Sequence, residues 1–129
     1  MPLELKAVHT NAAPAAIGPY SQAISCGGIA YLSGQLGIDP ANGVIPEDFA
    51  QQARQALTNL KAVVEAAGSS LERVISVDVF LIDMTTFGAF NAIYAEFFPR
   101  HKPARAAIGV AALPREAQVE VRCIAALAS

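Results

Sequence analysis

The chain has 129 residues, of which 53% are hydrophobic and 16% charged, and its formal net charge is −2 at pH 7. This length suits one domain over residues 1–129, and the composition is too apolar for a disordered protein. Nine basic against eleven acidic residues leave no electrostatic footprint for nucleic acid. No apolar run reaches the ~18 residues of a membrane span, so we expect a soluble protein with small-molecule partners.

The N-terminal sequence MPLELKAVHT lacks the basic and apolar regions of a secretory signal, which makes a cytoplasmic location the expectation. Within it, LELKAV is a candidate for an additional strand. The next runs, SQAISC and IAYLSGQ, are strand-like and are joined by Gly27 and Gly28, which suit the positive φ angles of a tight turn. This pattern predicts a β-hairpin. Near its end, Ser33 precedes Gly34, which indicates either close approach of a ligand to the backbone or a bulge.

A loop, DPANGVIP, then leads into a predicted helix over about residues 47–67. Glu47 and Asp48 are acids at the position that a helix N-terminus favours, and Gly68 suits the residue just beyond the C-terminus. Small or apolar residues recur at spacings of three and four, at Ala53, Leu57, Leu60, Val64 and Ala67. The helix is therefore amphipathic, with one buried face.

The segment RVISVDVFLID is rich in β-branched residues and predicts a strand. It is followed by MTTFGAFNAIYAEFF, in which Phe87, Tyr94 and Phe98 recur at helical spacing before Pro99 ends the helix. Asn91 falls on this aromatic, inward stripe and therefore needs a hydrogen-bond partner. That partner is either a nearby backbone group or a ligand.

Two further strands are predicted in RAAIGVAAL and QVEVRCIAAL, with a loop around PRE between them. Arg105 opens a run of uncharged residues, and it either extends into water or binds an anion. Glu120 lies between two valines, and it is either a surface acid or a functional carboxylate. The residues alone leave both alternatives open.

The predicted order, β, β, α, β, α, β, β, indicates an α+β fold: a single mixed β-sheet with two helices packed on one face. The other face would then expose Ala, Val and Ile, and exposed apolar patches of this kind usually mark an interface. We therefore expect a homo-oligomer. Cys26 and Cys123 are interpreted as buried small hydrophobes, and His9 and His101 have no companions at ligand spacing. No metal site is predicted.

Several long segments, in order and over nearly the whole chain, resemble the RidA (YjgF) family of reactive-intermediate deaminases. They are APAAIGPYSQAI, YLSGQLGIDP, QARQALTNLKAVVEAAGSSLERV, FNAIYAEFFP, PARAAIGVAALP and VEVRCIA. The resemblance implies a chorismate-mutase-like fold that assembles as a homotrimer, with ligand sites in the clefts between subunits. It also implies hydrolysis of enamine and imine intermediates, such as 2-aminoacrylate, to 2-keto acids and ammonia, without a cofactor.

Matched to the family motifs, the resemblance assigns Arg105 to the substrate carboxylate and Glu120 to acid–base catalysis. It also assigns substrate contacts to Tyr20, Ser33, Gly34, Asn91 and Ala107. The chain departs from the usual family pattern in two places: Ala107 stands where a cysteine is common, and Arg122 stands where a glutamate is common. The first departure suggests that no thiol is required, since the backbone N–H at residue 107 can still meet the carboxylate. The second alters substrate preference or is only a surface change.

Two other functions compete with this one. A trimer that binds small keto or amino acids without turning them over would need Arg105 but no general base, so Glu120 argues against it. A ribonuclease or translation inhibitor conflicts with the acidic charge balance.

The separation of Arg105 and Glu120 can also be predicted. If the last two strands form a hairpin that pairs Ala111 with Gln118, these two residues lie about 13 Å apart at ~3.3 Å per residue. A site that uses both would then take them from different chains.

Overall fold

The computed structural model describes residues 2–128. Within that part, the elements are β1 (Lys6–Val8), β2 (Ala23–Cys26), β3 (Ile29–Leu32), β4 (Gln35–Leu36), α1 (Phe49–Ala66), β5 (Val74–Leu81), α2 (Phe87–Phe97), β6 (Ala104–Gly109) and β7 (Val119–Ala126). Short 3₁₀ turns precede β5, α2 and β7. Over the described residues, neither helix has the length and apolar character needed to cross a membrane.

All the strands join one sheet in the order β1-β2-β3-β7-β5-β6, and β4 also pairs with β7. The pairs are antiparallel except for β5 and β6, which run parallel and are connected by α2. Parallel neighbours need a crossover of this kind, usually a helix. The predicted mixed sheet with two helices is therefore confirmed, and the candidate strand in LELKAV is present as β1.

The local signals of the sequence form the predicted turns and caps. Gly27 and Gly28 have φ angles of 59° and 83° in the turn between β2 and β3. At the start of α1, Asp48 Oδ2 accepts a hydrogen bond of 3.0 Å from the backbone N–H of Gln51. After its last turn, Gly68 has a φ of 91°, and its N–H donates to the Glu65 carbonyl. Side-chain capping and a left-handed glycine thus define the two ends of the helix.

One hydrophobic core lies between the sheet and both helices. Leu57 and Leu60 of α1 and Phe90 of α2 are fully buried against inward residues of the sheet such as Val79 and Val121. Alternation along β7 leaves Glu120, Arg122 and Ile124 on the opposite side, called here the open face.

The open face carries apolar side chains, as predicted from composition. Tyr31 pairs with Ile124 and is 50% exposed, and Ile108 pairs with Phe80 and is 47% exposed. The same face also carries an ion pair of 3.0 Å between Arg122 Nε and Asp78 Oδ2. The open face thus combines exposed apolar side chains with one ion pair, and its apolar part is the feature that usually marks an interface.

The predicted hairpin between the last two strands is wrong. Strands β6 and β7 lie on opposite sides of β5, where Val77 is level with Arg105 of β6 and with Cys123 of β7. Two physical reasons account for this arrangement. Helix α2 delivers β6 parallel to β5, and residues 110–118 are a connection long enough to pass over β5 before β7 begins.

The predicted strand IAYLSGQ is also interrupted. Tyr31 pairs with Ile124, whereas Gln35 pairs with Val121, so four residues on one side match three on the other. The extra residue lies near Ser33 and Gly34 and forms a bulge between β3 and β4. The bulge interpretation of Ser33 is therefore correct, and bulges often re-aim side chains beside functional sites.

Candidate functional site

A cleft of about 760 Å³ opens beside this bulge. Four of the seven predicted site residues line it, namely Tyr20, Ser33, Gly34 and Glu120, together with Arg122. We call it the Glu120 cleft. Its walls come from the segment before β2, the β3–β4 bulge and the open face of β7, so distant parts of the chain build it.

Glu120 is the carboxylate of this cleft. It is half-buried on β7, where its backbone is level with Phe80 of β5 and Leu36 of β4. Burial raises the pKa of the Glu120 carboxyl above its usual 4.5, and the neighbouring Arg122 guanidinium opposes part of this rise. A carboxyl with a raised pKa can both accept and return a proton nearer to neutral pH.

Gly34 makes room for that carboxyl group. A Cβ at position 34 would lie 2.8 Å from Cδ of Glu120 and would also overlap its Oε2. The backbone of the bulge therefore approaches the carboxylate as closely as a glycine allows. The sequence predicted either close approach of a ligand or a bulge at this glycine, and within the chain the group that approaches it is the Glu120 carboxyl.

Substituting Gly34 with alanine is expected to lower the deaminase activity that the family resemblance implies about 100-fold, while the fold is kept. The added methyl group meets the end of a flexible side chain, so the Glu120 carboxyl moves aside instead of the backbone. Displacing a catalytic group by about 1 Å can cost a factor of this size. The measurements are kcat/KM and the thermal unfolding midpoint.

Gly88→Ala is the matched control for that variant. A Cβ at Gly88 of α2 meets nothing within 4 Å, so stability should rise by about 0.5 to 1 kcal/mol with activity unchanged. Full activity in Gly34→Ala would show that the close approach to Glu120 has no catalytic importance.

Ser33 and Tyr20 complete the cleft in different ways. Ser33 Oγ donates a hydrogen bond of 2.6 Å to the Ser21 carbonyl, so its lone pairs remain available as acceptors. Tyr20 is 53% exposed and can offer its hydroxyl to a bound molecule. Tyr20 belongs to the segment from residue 14 to residue 22, and Ser33 contacts that segment at Ser21.

Gln22 holds that segment in place, and sequence reasoning missed it. This side chain is 2% exposed, and its Nε2 donates to the carbonyls of Thr10 and Pro14 at 3.1 and 2.8 Å. Its Oε1 accepts from the Thr10 N–H at 2.7 Å. The available signal was a glutamine at the start of a strand-like run, which does not distinguish a buried clamp from a surface residue.

The other three predicted residues lie elsewhere, around the edge strand β6. Arg105 Nη1 donates a hydrogen bond of 2.8 Å to Asn91 Oδ1. Asn91 therefore finds its partner in a side chain, which answers the question left open by its place on the inward stripe of α2. Ala107 lies two residues along β6 from Arg105, on the same side, and packs against the core.

A single chain does not bring Arg105 and Glu120 together. Arg105 is level with the buried Val77 and contacts α2, so it lies on the helix side of the sheet, whereas Glu120 lies on the open face. Three residues of rise and two strand spacings separate their backbones by about 14 Å. The hairpin from which the distance between Arg105 and Glu120 was predicted is wrong, but the two residues are still far apart. They also lie on opposite faces of the sheet.

Arg122 is part of the cleft and not a remote surface residue. Its guanidinium bonds Asp78 and lies 5.6 Å from the centre of the Phe80 ring. This arrangement places a fixed positive charge beside Glu120.

The cysteines and histidines take no part in the Glu120 cleft. Cys123 is buried, which raises the pKa of its thiol to about 12, whereas Cys26 is only half-buried, contrary to the prediction. His101 Nε2 donates to the Val74 carbonyl at 2.6 Å, and His9 Nε2 to Asn11 Oδ1 at 3.1 Å. Across residues 2–128, no group of three or more His, Cys, Asp or Glu side chains is placed to hold a metal ion.

Comparison with known proteins shows the family of the chain. A family model described as Endoribonuclease L-PSP matches residues 10–127. The chain belongs to this family, the RidA (YjgF) family. A mouse member, named 2-iminobutanoate/2-iminopropanoate deaminase, is 47% identical over 121 residues, which is 93% of this chain and 90% of the mouse protein.

Solved structures of RidA-family proteins share the fold. The YjgF gene product of Escherichia coli has a TM-score of 0.90 and 43% identity, over 94% of this chain and 98% of that one. Escherichia coli TdcF with bound serine has a TM-score of 0.91 and 40% identity, with the same coverage of both chains.

Proposed function

We propose that this protein hydrolyses 2-imino acids and their enamine tautomers, such as 2-aminoacrylate, to 2-keto acids and ammonia. The observation that carries the proposal is the Glu120 carboxylate, half-buried in a cleft with a raised pKa and admitted by Gly34. Relatives that cover most of the chain are named for this reaction. The serine bound to TdcF carries a nitrogen on the carbon next to its carboxylate, as the proposed substrates do.

The reaction follows from the chemistry of these groups. The enamine takes up a proton at its β-carbon and becomes an iminium, and water adds to the iminium carbon while Glu120 accepts a proton from the water. Glu120 then returns this proton to the nitrogen of the resulting carbinolamine. The carboxylate next takes the hydroxyl proton as the C=O bond forms, the C–N bond breaks, and ammonia leaves and takes up that proton from Glu120. General acid–base assistance of this kind is typically worth ~10² to 10⁴ in rate.

The remaining residues bind and orient the substrate. Arg105 grips the carboxylate through two parallel N–H donors, and the backbone N–H of Ala107 is the second donor group on that strand. Ser33 Oγ accepts from the water or from the protonated nitrogen, because its own proton is directed to Ser21. Tyr20 donates from the opposite wall, and Asn91 acts through Arg105. The reaction needs no cofactor.

We further propose a chorismate-mutase-like homotrimer in which each site takes Glu120 from one chain and Arg105 from its neighbour. The opposite faces of these residues in one chain support a shared site. The apolar open face supplies a surface for assembly. A cytoplasmic location remains a prediction from the sequence.

A complementation experiment tests the shared site. Arg105→Ala and Glu120→Ala proteins should each be inactive alone. Unfolded, mixed in equal amounts and refolded as cyclic trimers, they should regain about a quarter of the sites, since each site draws independently on two chains. Each variant refolded by itself is the control. Mixed trimers without activity would place both residues in one chain.

A coupled assay tests the reaction itself. A serine dehydratase generates 2-aminoacrylate, and pyruvate formation is measured with and without this protein. Acceleration supports the deaminase. Binding of pyruvate without acceleration would favour a non-catalytic binding trimer. RNA incubated with the same preparation tests the ribonuclease activity named in the family description, and we expect no cleavage because the acidic charge balance disfavours RNA binding.

A further inference from the structure

One face of α2 forms a cradle around the Arg105 guanidinium. Phe87, Asn91 and Tyr94 are spaced by four and three residues, so they lie on the same face of the helix. Arg105 Cζ lies 5.4 Å from the centre of the Phe87 ring and 4.7 Å from that of Tyr94, and Asn91 Oδ1 accepts from Nη1. We call these three residues the Arg105 cradle.

We propose that Phe87 and Tyr94 are positioning residues that orient Arg105 for the substrate carboxylate. This inference rests on the proposed function, in which Arg105 binds that carboxylate. The two rings contact the guanidinium through their faces, and Asn91 engages one of its N–H groups. The remaining N–H donors keep a fixed direction toward the substrate.

An arginine at this place needs such support. Arg105 lies on the edge strand β6, and its residue is exposed in the single chain. Its side chain has many rotamers, and ordering them on substrate binding would reduce affinity. Aromatic faces attract the guanidinium and remove much of this freedom before the substrate arrives.

The Tyr94 ring is itself held rigidly. Its centre lies 4.7 Å from that of Phe98 and 5.8 Å from that of Phe90, and Phe90 is fully buried. This stack anchors the ring in the core beneath β6. The core therefore holds the Tyr94 ring in place, and contact with this ring restricts the motion of the exposed Arg105 side chain.

The ring of Tyr94 and not its hydroxyl carries this role. Within residues 2–128, Tyr94 Oη is buried and has no hydrogen-bond partner. Burial raises the pKa of Tyr94 above its ordinary value, and the Arg105 guanidinium opposes that rise in part. Phenylalanine at position 94 should therefore serve as well as tyrosine, whereas leucine should not.

The test measures pyruvate binding by calorimetry for three variants. Tyr94→Leu should raise the Kd about 3- to 30-fold, the range expected for a lost cation–π contact. Tyr94→Phe should keep the Kd within about twofold of the wild type. Ile93→Val changes a buried residue of α2 outside the Arg105 cradle and its aromatic stack, so it should lower thermal stability with little change in Kd. Unchanged binding in folded Tyr94→Leu protein would overturn the proposal.

Two further measurements keep the test decisive. If Tyr94→Leu does not fold, Phe87→Leu replaces it with the same expected loss of affinity, since Phe87 is only half-buried. In NMR spectra, ring currents should shift the Arg105 side-chain protons upfield, and Tyr94→Leu should reduce that shift. Arg105→Ala assigns the signals. Absence of a ring-current shift in the wild type would also overturn the cradle.

These results separate the inference from the proposed function. If the proposed function is wrong, the wild type does not accelerate deamination, whether or not it binds pyruvate. If only the inference is wrong, the wild type accelerates deamination and binds pyruvate and Arg105→Ala does not bind it, yet Tyr94→Leu binds as tightly as the wild type.

Discussion

Replacing Glu120 with glutamine should lower kcat for 2-aminoacrylate at least about 100-fold, while pyruvate still binds. Glutamine keeps the shape of the side chain but cannot carry a proton from water to the leaving nitrogen.

The pH profile gives a second readout. Burial raises the pKa of the Glu120 carboxyl above 4.5. As the pH is lowered, the wild-type rate should therefore begin to fall before pH 4.5 is reached, because the carboxylate becomes protonated. In the Glu120→Gln protein this acid limb should disappear.

The matched control is Glu72→Gln, which removes an exposed acid from the 3₁₀ turn before β5. That protein should keep both the rate and the pH profile of the wild type. Near-normal turnover in Glu120→Gln would remove Glu120 from the mechanism. The catalytic role would then pass to another group of the cleft, such as Tyr20.

Replacing Arg105 with lysine should weaken the binding of pyruvate and 2-ketobutyrate about 10- to 100-fold, although the charge is kept. Lysine offers a point charge in place of two parallel N–H donors. It also loses the planar group that stacks on the rings of Phe87 and Tyr94. Calorimetric titration with both keto acids measures the effect, and the KM of the imine substrate should rise with it.

Arg100→Lys is the control, because Arg100 is exposed and lies before β6, outside the Arg105 cradle. It should leave the affinity for keto acids unchanged. If Arg105→Lys behaves like this control, Arg105 is a surface residue that extends into water. The carboxylate would then have to be bound by another cation, and Arg122 in the Glu120 cleft would be the first to test.

Local chemistry accounts for the parts of the fold that the sequence predicted well. The Gly27–Gly28 turn, the Asp48 cap and the Gly68 terminus each depend on residues a few positions apart. The buried face of α1 follows from its apolar periodicity in the same way. Such features need no knowledge of the rest of the chain.

The candidate site was predicted only in part. Motif resemblance selected Glu120 and Gly34, but their mutual approach depends on a bulge between β3 and β4 that also involves β7. Periodicity placed Asn91 on the same stripe as Phe87 and Tyr94 without identifying Arg105 as their common partner. The buried Gln22 carried no signal that distinguishes it from a surface glutamine.

The sequence by itself determined which segments become helices and strands, where they turn, and that one sheet face is left open. Only the tertiary structure decided which strands are neighbours. No local signal distinguishes a hairpin of β6 with β7 from the observed pairing, in which α2 returns β6 parallel to β5 and β7 pairs with the other side of β5. That choice places Arg105 and Glu120 on opposite faces of the sheet, because the side to which a strand residue points follows from its pairing register.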